Sequence, residues 1–293
     1  MKSGRSMLAA VTRTVQEFLN DQPLDMAGAL SYYTLLSIAP LLLVVLATAG
    51  MFLDGDVVRA EIFNQIRSLL GIEGANLIDT IITKADRPTH GVIAMISGLV
   101  ITVLGATTVF AQLQGALNRI WHVQAAPDSN VVWGFIRHRV LSLGLVLTIA
   151  LLLLMSLVIS AVLAGMEGRL NAYVPGAAIL WRILNVVVSL GLITVLIAMI
   201  FKFLPDAKIE WRDTWLGAFI TSLLFTVGKF LIGLYLGQAS VGSTYGAAGS
   251  VVVLMVWIYY ASLILFFGAK ITEVIARSRG AHIQPSAHAQ PSD

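Results

Sequence analysis

The sequence contains no cysteine. That excludes a disulfide framework, a thiolate metal site and a cysteine nucleophile. Charge is also scarce: Asp, Glu, Lys and Arg make up 12% of the 293 residues, while 57% are hydrophobic. A soluble domain carries roughly 25% charge and about 45–50% apolar residues. Half the usual charge leaves too few polar groups to cover a water-facing surface, so most of the surface meets lipid. The mean hydropathy of +0.85 agrees. The long apolar runs hold no Asp or Glu at all. The five histidines, His90, His122, His138, His282 and His288, form neither H-E-x-x-H nor another metal-binding spacing. The glycine-rich stretch from Gly242 to Gly246 lacks the lysine and spacing of a phosphate-binding loop. No catalytic residue, metal or cofactor is therefore expected, and the protein is read as a non-enzyme. The net charge of +3 is scattered over short loops, so no nucleic-acid partner is expected either.

What the sequence has in abundance is apolar length. About 20 mainly apolar residues cross a bilayer as a helix. Six segments qualify: 27–53, 91–117, 140–165, 180–204, 214–237 and 249–269. Helices follow because backbone polar groups in lipid must be satisfied within the segment. The expected fold class is an all-α integral membrane protein with six transmembrane helices, residues 1–277 forming one membrane domain in contact with membrane lipids. The first run exceeds the roughly 7–15 residues of a signal-peptide core. Ala47-Thr48-Ala49 therefore reads as a small-residue patch on a retained helix.

Three segments lie outside the spans. Met7, Val11, Val15 and Phe18 recur at helical spacing up to Pro23 and predict an N-terminal amphipathic helix at the membrane surface. Residues 54–87 carry two amphipathic patterns, Val58-Ile62-Ile66-Leu69 and Leu77-Ile78-Ile81-Ile82, split at Gly71 and Gly74. They predict an outer-face helical hairpin, a surface on which envelope proteins can dock. Residues 278–293 are small, polar and proline-containing, and predict a disordered cytoplasmic tail.

Basic residues set the orientation. Twelve of the 19 lie on one side: Lys2, Arg5, Arg13, Arg119, Arg137, Arg139, Lys202, Lys208, Arg212, Lys270, Arg277 and Arg279. Six lie on the other: Arg59, Arg67, Lys84, Arg87, Arg169 and Arg182. The richer side is expected to be cytoplasmic and to hold both termini. The one basic residue left over is Lys229, inside the fifth span.

Lys229 lies eight residues inside Gly237, about 12 Å at 1.5 Å per residue. It shares a helical stripe with Ser222 and Thr226. Intramembrane cations usually face a bundle interior or a wet cavity and mark substrate paths. A carbonyl-bonded structural lysine is the other reading. The first span repeats the theme with Ser31, Thr34 and Ser37 on one stripe, followed by Pro40, which removes a backbone donor and is expected to kink the helix. That stripe can line a cavity or serve helix packing. Gly91, Gly98 and Gly105 in the second span read as a packing stripe. Asn185 in the fourth span needs an interhelical partner or water. Tyr245, in the uncharged loop 238–248, offers a hydroxyl beside flexible glycines. Lys229, Ser222, Thr226, Asn185, Ser31, Thr34, Ser37 and Tyr245 together make the candidate substrate-binding set.

Several stretches resemble the YihY/BrkB family of bacterial inner-membrane proteins, formerly labelled ribonuclease BN. They are ALSYYTLLSIAPLLL (Ala29–Leu43), LNRIWHV (Leu117–Val123), FLPDAKIEWRDTWLGA (Phe203–Ala218), GKFLIGLYL (Gly228–Leu236) and STYGAAGSVVVLMVWIYYASLILFFGAKI (Ser243–Ile271). The resemblance implies six helices and an inner-membrane location. The family tends toward Gly-Ala-Glu at the end of the sixth span, where this chain has Gly268-Ala269-Lys270, with Glu273 one turn later. Three functions are weighed. The first is a transporter or exporter of an anionic amphiphile or lipid-like envelope component. The second is a non-transporting scaffold in envelope biogenesis. The third is a ribonuclease, which the scattered Asp128, Asp206, Glu210 and Asp213 do not support, because nuclease chemistry needs clustered carboxylates or an acid–base pair.

Overall fold

A computed structural model describes residues 12, 14–51, 54–85, 92–126, 177–238, 249–280, 283–286 and 289–291, with 140, 144, 148 and 155. Six long helices are described: α1 (Pro23–Gly50), α2 (Gly55–Ala85), α3 (Val92–Ile120), α4 (Ala177–Phe203), α5 (Trp211–Gln238) and α6 (Gly249–Ser278). Residues 14–20 add a short N-terminal helix. Four short strands follow helix ends: β1 (Val123–Ala125), β2 (Ala207–Lys208), β3 (Gln284–Pro285) and β4 (Ala289–Pro291).

Among the described residues, four helices are long and apolar enough to cross a membrane, through Pro23–Leu46, Val186–Phe203, Trp211–Ile232 and Gly249–Ser278. They correspond to the expected first, fourth, fifth and sixth spans. The expected second span is helical over the 29 residues of α3. The third, 140–165, lies almost wholly outside the described residues, as does the loop 239–248. The chain is thus a mostly helical protein with several membrane-length apolar helices.

Helix ends follow local chemistry. The turn at Asp21–Gln22, with Gln22 at φ 56, separates the N-terminal helix from α1. Pro23 opens α1, since its missing N–H would be unpaired in a first turn anyway. At the start of α5, the Glu210 carbonyl accepts the amides of Asp213 and Thr214, and Asp213 complements the positive helix end. The sixth helix runs nine residues beyond its expected end. The charges that stop the apolar run, Lys270, Glu273 and Arg277, pair at i,i+3 and i,i+4 and sustain the helix instead of ending it. Gly280 at φ 77 closes it in a conformation that favours glycine.

Three expectations change. Residues 55–85 are helical throughout, with no break in helical conformation at Gly71 and Gly74. The stretch is still not a straight rod. Arg59 pairs with Asp79 at 2.7 Å, and twenty residues of straight helix would part them by about 30 Å. The tail is ordered where described: β3 pairs with β2 and β4 with β1, both antiparallel. Its short, Pro-containing segments gain backbone partners from the loops after α3 and α4, which composition alone does not reveal. Finally, Phe18 of the N-terminal helix is buried edge-on against Phe267, 5.2 Å away, so that end of the amphipathic helix packs on the bundle. Met7 and Val11 lie outside the described residues.

The bundle is built on α1 against α3 and α6, and on α5 against α6 and α4. Gly105 of α3 sits under Pro40, where a Cβ would lie 2.6 Å from the proline ring. Helical conformation continues through Pro40. The α5–α6 contact is a reciprocal interlock. A Cβ on Gly217 would meet Thr272 Oγ1 at 1.8 Å, and one on Gly268 would meet Thr221 Oγ1 at 1.9 Å. Each threonine hydroxyl donates back to a glycine carbonyl on its own helix: Thr221 to Gly217 at 2.7 Å and Thr272 to Gly268 at 2.8 Å. Both hydroxyl hydrogens are therefore paired where the backbones touch, and small residues of this kind let membrane helices pack closely without a hydrophobic driving force between them.

Candidate functional site

The fifth span carries the predicted polar stripe, but its three residues face different surroundings. Ser222 is fully buried. Its hydroxyl lies 2.7 Å from that of Thr194 on α4 and donates to the Phe219 carbonyl at 2.8 Å. Thr226 is exposed and donates to the Ser222 carbonyl at 2.8 Å. Lys229 is half-buried, and among the described residues it forms no ion pair. Ser222 thus serves an interhelical bond, whereas Lys229 retains an uncommitted charge among those residues.

On α1, Ser31 and Ser37 are buried and Thr34 is half-buried. Ser31 donates to the Ala27 carbonyl at 2.8 Å, a bond within its own helix. No hydrogen bond joins these residues to the α5 set among the described residues. The backbone of Asn185 lies in α4, but its side chain and the whole of Tyr245 fall outside the described residues. Among the described residues, no three His, Cys, Asp or Glu side chains gather as a metal-binding group.

The strongest polar organisation lies elsewhere, at the end of the bundle where α3, α4 and α6 finish and α1 and α5 begin. Lys270 is only 2% exposed and bridges Asp21 at 3.0 Å and Glu273 at 2.9 Å. Arg277 continues the chain of charges to Glu273 and Glu17, each at 2.9 Å. Beside this network, the indole N–H of Trp121 donates to the Ala269 carbonyl at 3.0 Å, and the Trp121 ring meets Phe201 edge-on at 5.7 Å. Asp206 is the second focus. One of its carboxylate oxygens accepts from Gln114 at 3.1 Å and from Asn118 at 2.9 Å, while its amide donates to Asn118 at 2.8 Å. Its carbonyl accepts the Ser286 amide of the tail at 2.8 Å. Asp213 is buried and bonded by Arg279.

Three stretches that carry the family resemblance, Leu117–Val123, Phe203–Ala218 and the Gly268–Ile271 end of the last, therefore meet at this end. Comparison with known sequences agrees. The family model described as virulence factor BrkB matches residues 14–293. The chain belongs to the BrkB family. A UPF0761 membrane protein of Alteromonas mediterranea is 27% identical over 250 residues, covering 84% of this chain and 80% of that one. One from Pseudoalteromonas atlantica is 27% identical over 283 residues, covering 92% and 88%. One from Rhodospirillum centenum is 28% identical over 284 residues, covering 94% of this chain and 59% of that longer protein. No solved structure matches. The BrkB relatives are named as membrane proteins, in agreement with the apolar helices.

Sequence reasoning missed Asp21, Gln114, Asn118 and Asp206 as a polar framework. Asp206 looked like one of several scattered acids, because its partners lie 88 and 92 positions away. The glycine–threonine interlock did have a signal: Gly-Ala-x-Ile-Thr occurs at 217–221 and again at 268–272.

Proposed function

We propose that this BrkB-family chain is a non-enzymatic transporter of an anionic amphiphile, a lipid-like component of the bacterial envelope. It would sit in the inner membrane with six spans and both termini cytoplasmic. One observation carries the reading. Lys229 is placed well inside an apolar helix and makes no ion pair among the described residues, whereas Lys270 on the neighbouring helix is fully partnered. A desolvated, unpaired ammonium is costly, and an anionic ligand passing the site offsets that cost. The twelve-to-six basic asymmetry supports the orientation. Against catalysis, Asp21, Glu273 and Asp213 are each engaged by a cation, and Asp206 by amides. The test is reconstitution of the purified chain into liposomes with headgroup-labelled phosphatidylglycerol. The wild type should speed exchange of the label between leaflets, and Lys229→Met should abolish this. A rate equal to protein-free liposomes, or one unchanged in Lys229→Met, would contradict the proposal.

The scaffold reading is favoured by a separate feature. Arg59 fastens to Asp79 and to the Thr83 hydroxyl, bracing the two ends of α2 against each other, with Val57 exposed. In that reading residues 54–87 dock envelope proteins, and loss of Lys229 is silent.

A further inference from the structure

At the same end as the charge network, a cleft of about 660 Å³ opens between the end of α4, the start of α5 and the tail. Its wall includes Lys202, Lys208, Glu210, Trp211 and, from the tail, Ile283 and Gln284. The size suits a small amphiphilic ligand.

The charges in the cleft are not equivalent. Asp213 is already bonded by Arg279. Lys202 donates to the Ile209 carbonyl and holds its ammonium 5.2 Å from the centre of the Trp211 ring. An ammonium has three donors, so Lys202 keeps capacity for a ligand while being fixed in place. Lys208 and Glu210 are exposed. Among the described residues, the cleft thus offers two cations and one uncommitted carboxylate.

The surroundings give the depth. Phe203, Trp211 and Trp215 are exposed and lie ring to ring, 5.9 Å and 6.5 Å apart. Exposed tryptophans of this kind sit at the headgroup level of a bilayer. From them an exposed apolar strip, Trp215, Phe219 and Leu223, runs up α5 at four-residue spacing. A polar cleft at headgroup level that continues into an apolar strip matches one molecule with a charged head and acyl chains.

We propose that this cleft binds a phospholipid with a phosphoethanolamine headgroup. The phosphate is held by Lys202 and Lys208, and the ammonium by Glu210, while the chains lie along Trp215, Phe219 and Leu223. Phosphatidylglycerol leaves Glu210 facing a neutral head. Phosphatidylcholine presents a quaternary ammonium that cannot donate a hydrogen bond to it. The inference concerns a resident lipid and stands whether or not the chain transports.

The test is native mass spectrometry of the full chain in detergent, titrated with phosphatidylethanolamine, phosphatidylglycerol and phosphatidylcholine, and with soluble O-phosphoethanolamine and inorganic phosphate as competitors. Phosphatidylethanolamine should bind about tenfold more tightly than either other lipid, the expected worth of one charge-assisted hydrogen bond. Lys208→Met should weaken phosphatidylethanolamine binding about tenfold. Glu210→Gln should erase the preference over phosphatidylglycerol while leaving phosphatidylglycerol bound, which also reports that the variant is folded. Equal binding of the three lipids, or a preference unchanged in both variants, would overturn the proposal. So would inorganic phosphate displacing the lipid as well as O-phosphoethanolamine does, which marks a simple anion site. O-phosphoethanolamine binding as tightly as the lipid would overturn the lipid assignment in favour of a free headgroup.

Discussion

Lys229 and Lys270 stand on helices that pack against each other, and they have opposite surroundings. Lys270 is the more deeply buried, at 2% exposure, yet two carboxylates lie within 3.0 Å of its ammonium. Lys229 is only half-buried and, among the described residues, has no acid at all. A buried charge is tolerated when geometry and partners repay its desolvation, and removing one member of such a group leaves the others stranded. The difference teaches that depth of burial does not mark a functional cation in this fold. Lys270 joins the N-terminal turn to the end of α6 and belongs to the scaffold. Lys229 gives the scaffold nothing that is visible in its described contacts.

That contrast can be broken in graded ways. The largest effect is expected from Lys270→Met, which leaves Asp21 buried without a cation among the described residues and Glu273 with Arg277 alone. It should cost ~3–5 kcal/mol of stability, read as loss of the folded peak on size exclusion after heating in detergent. Lys270→Glu installs the acid that the family resemblance leads one to expect, but beside two existing carboxylates. It should be at least as damaging and partly restored by Asp21→Lys. Full stability of Lys270→Glu alone would show that the network is dispensable.

A smaller loss is expected away from the charges. Gly268→Ala drives a methyl group into Thr221, and overpacking of this kind costs about 1–3 kcal/mol. Thr221→Ala in the same chain should relieve much of it, so the two changes should be strongly non-additive in a double-mutant cycle of thermal stability. Additive losses would show that the interlock does not couple the two helices.

Smaller still is Arg277→Met. Arg277 is 39% exposed and its bridges to Glu17 and Glu273 lie at the surface. Exposed pairs contribute about 0–1 kcal/mol, so its thermal stability should stay close to wild type. A loss as large as that of Lys270→Met would merge the two cations into one cooperative unit and blur the distinction.

The sequence revealed the class of the fold through hydropathy, because a period of apolar residues long enough for a bilayer is a local signal. It also revealed α1, α3, α4, α5 and α6 to within a few residues at most ends. The nine-residue overrun of α6 was hidden because hydropathy falls at Lys270 while helical pairing begins there. The ordering of the tail was hidden for a related reason. Ala207 and Gln284 belong to one small sheet but are 77 positions apart, and nothing local announces the pairing. At the candidate site, Lys229 was legible as a basic residue in the middle of an apolar run, well away from either end of its span. The framework around Asp206 was not, since a buried acid and a loop acid look alike until Gln114 and Asn118 arrive from another helix. The repeated Gly-Ala-x-Ile-Thr was readable in principle, but its meaning depends on α5 and α6 crossing antiparallel with glycine opposite threonine.

The most direct test of the contrast is a side-by-side thermal stability measurement of Lys229→Met and Lys270→Met in the same detergent. Both substitutions keep the length of the side chain and remove its charge. Lys270→Met should unfold well below the wild type, whereas Lys229→Met should unfold at or above it, since it removes a charge that no described residue pairs. If Lys229→Met loses as much stability as Lys270→Met, both lysines are structural and the assignment of Lys229 to transport is contradicted.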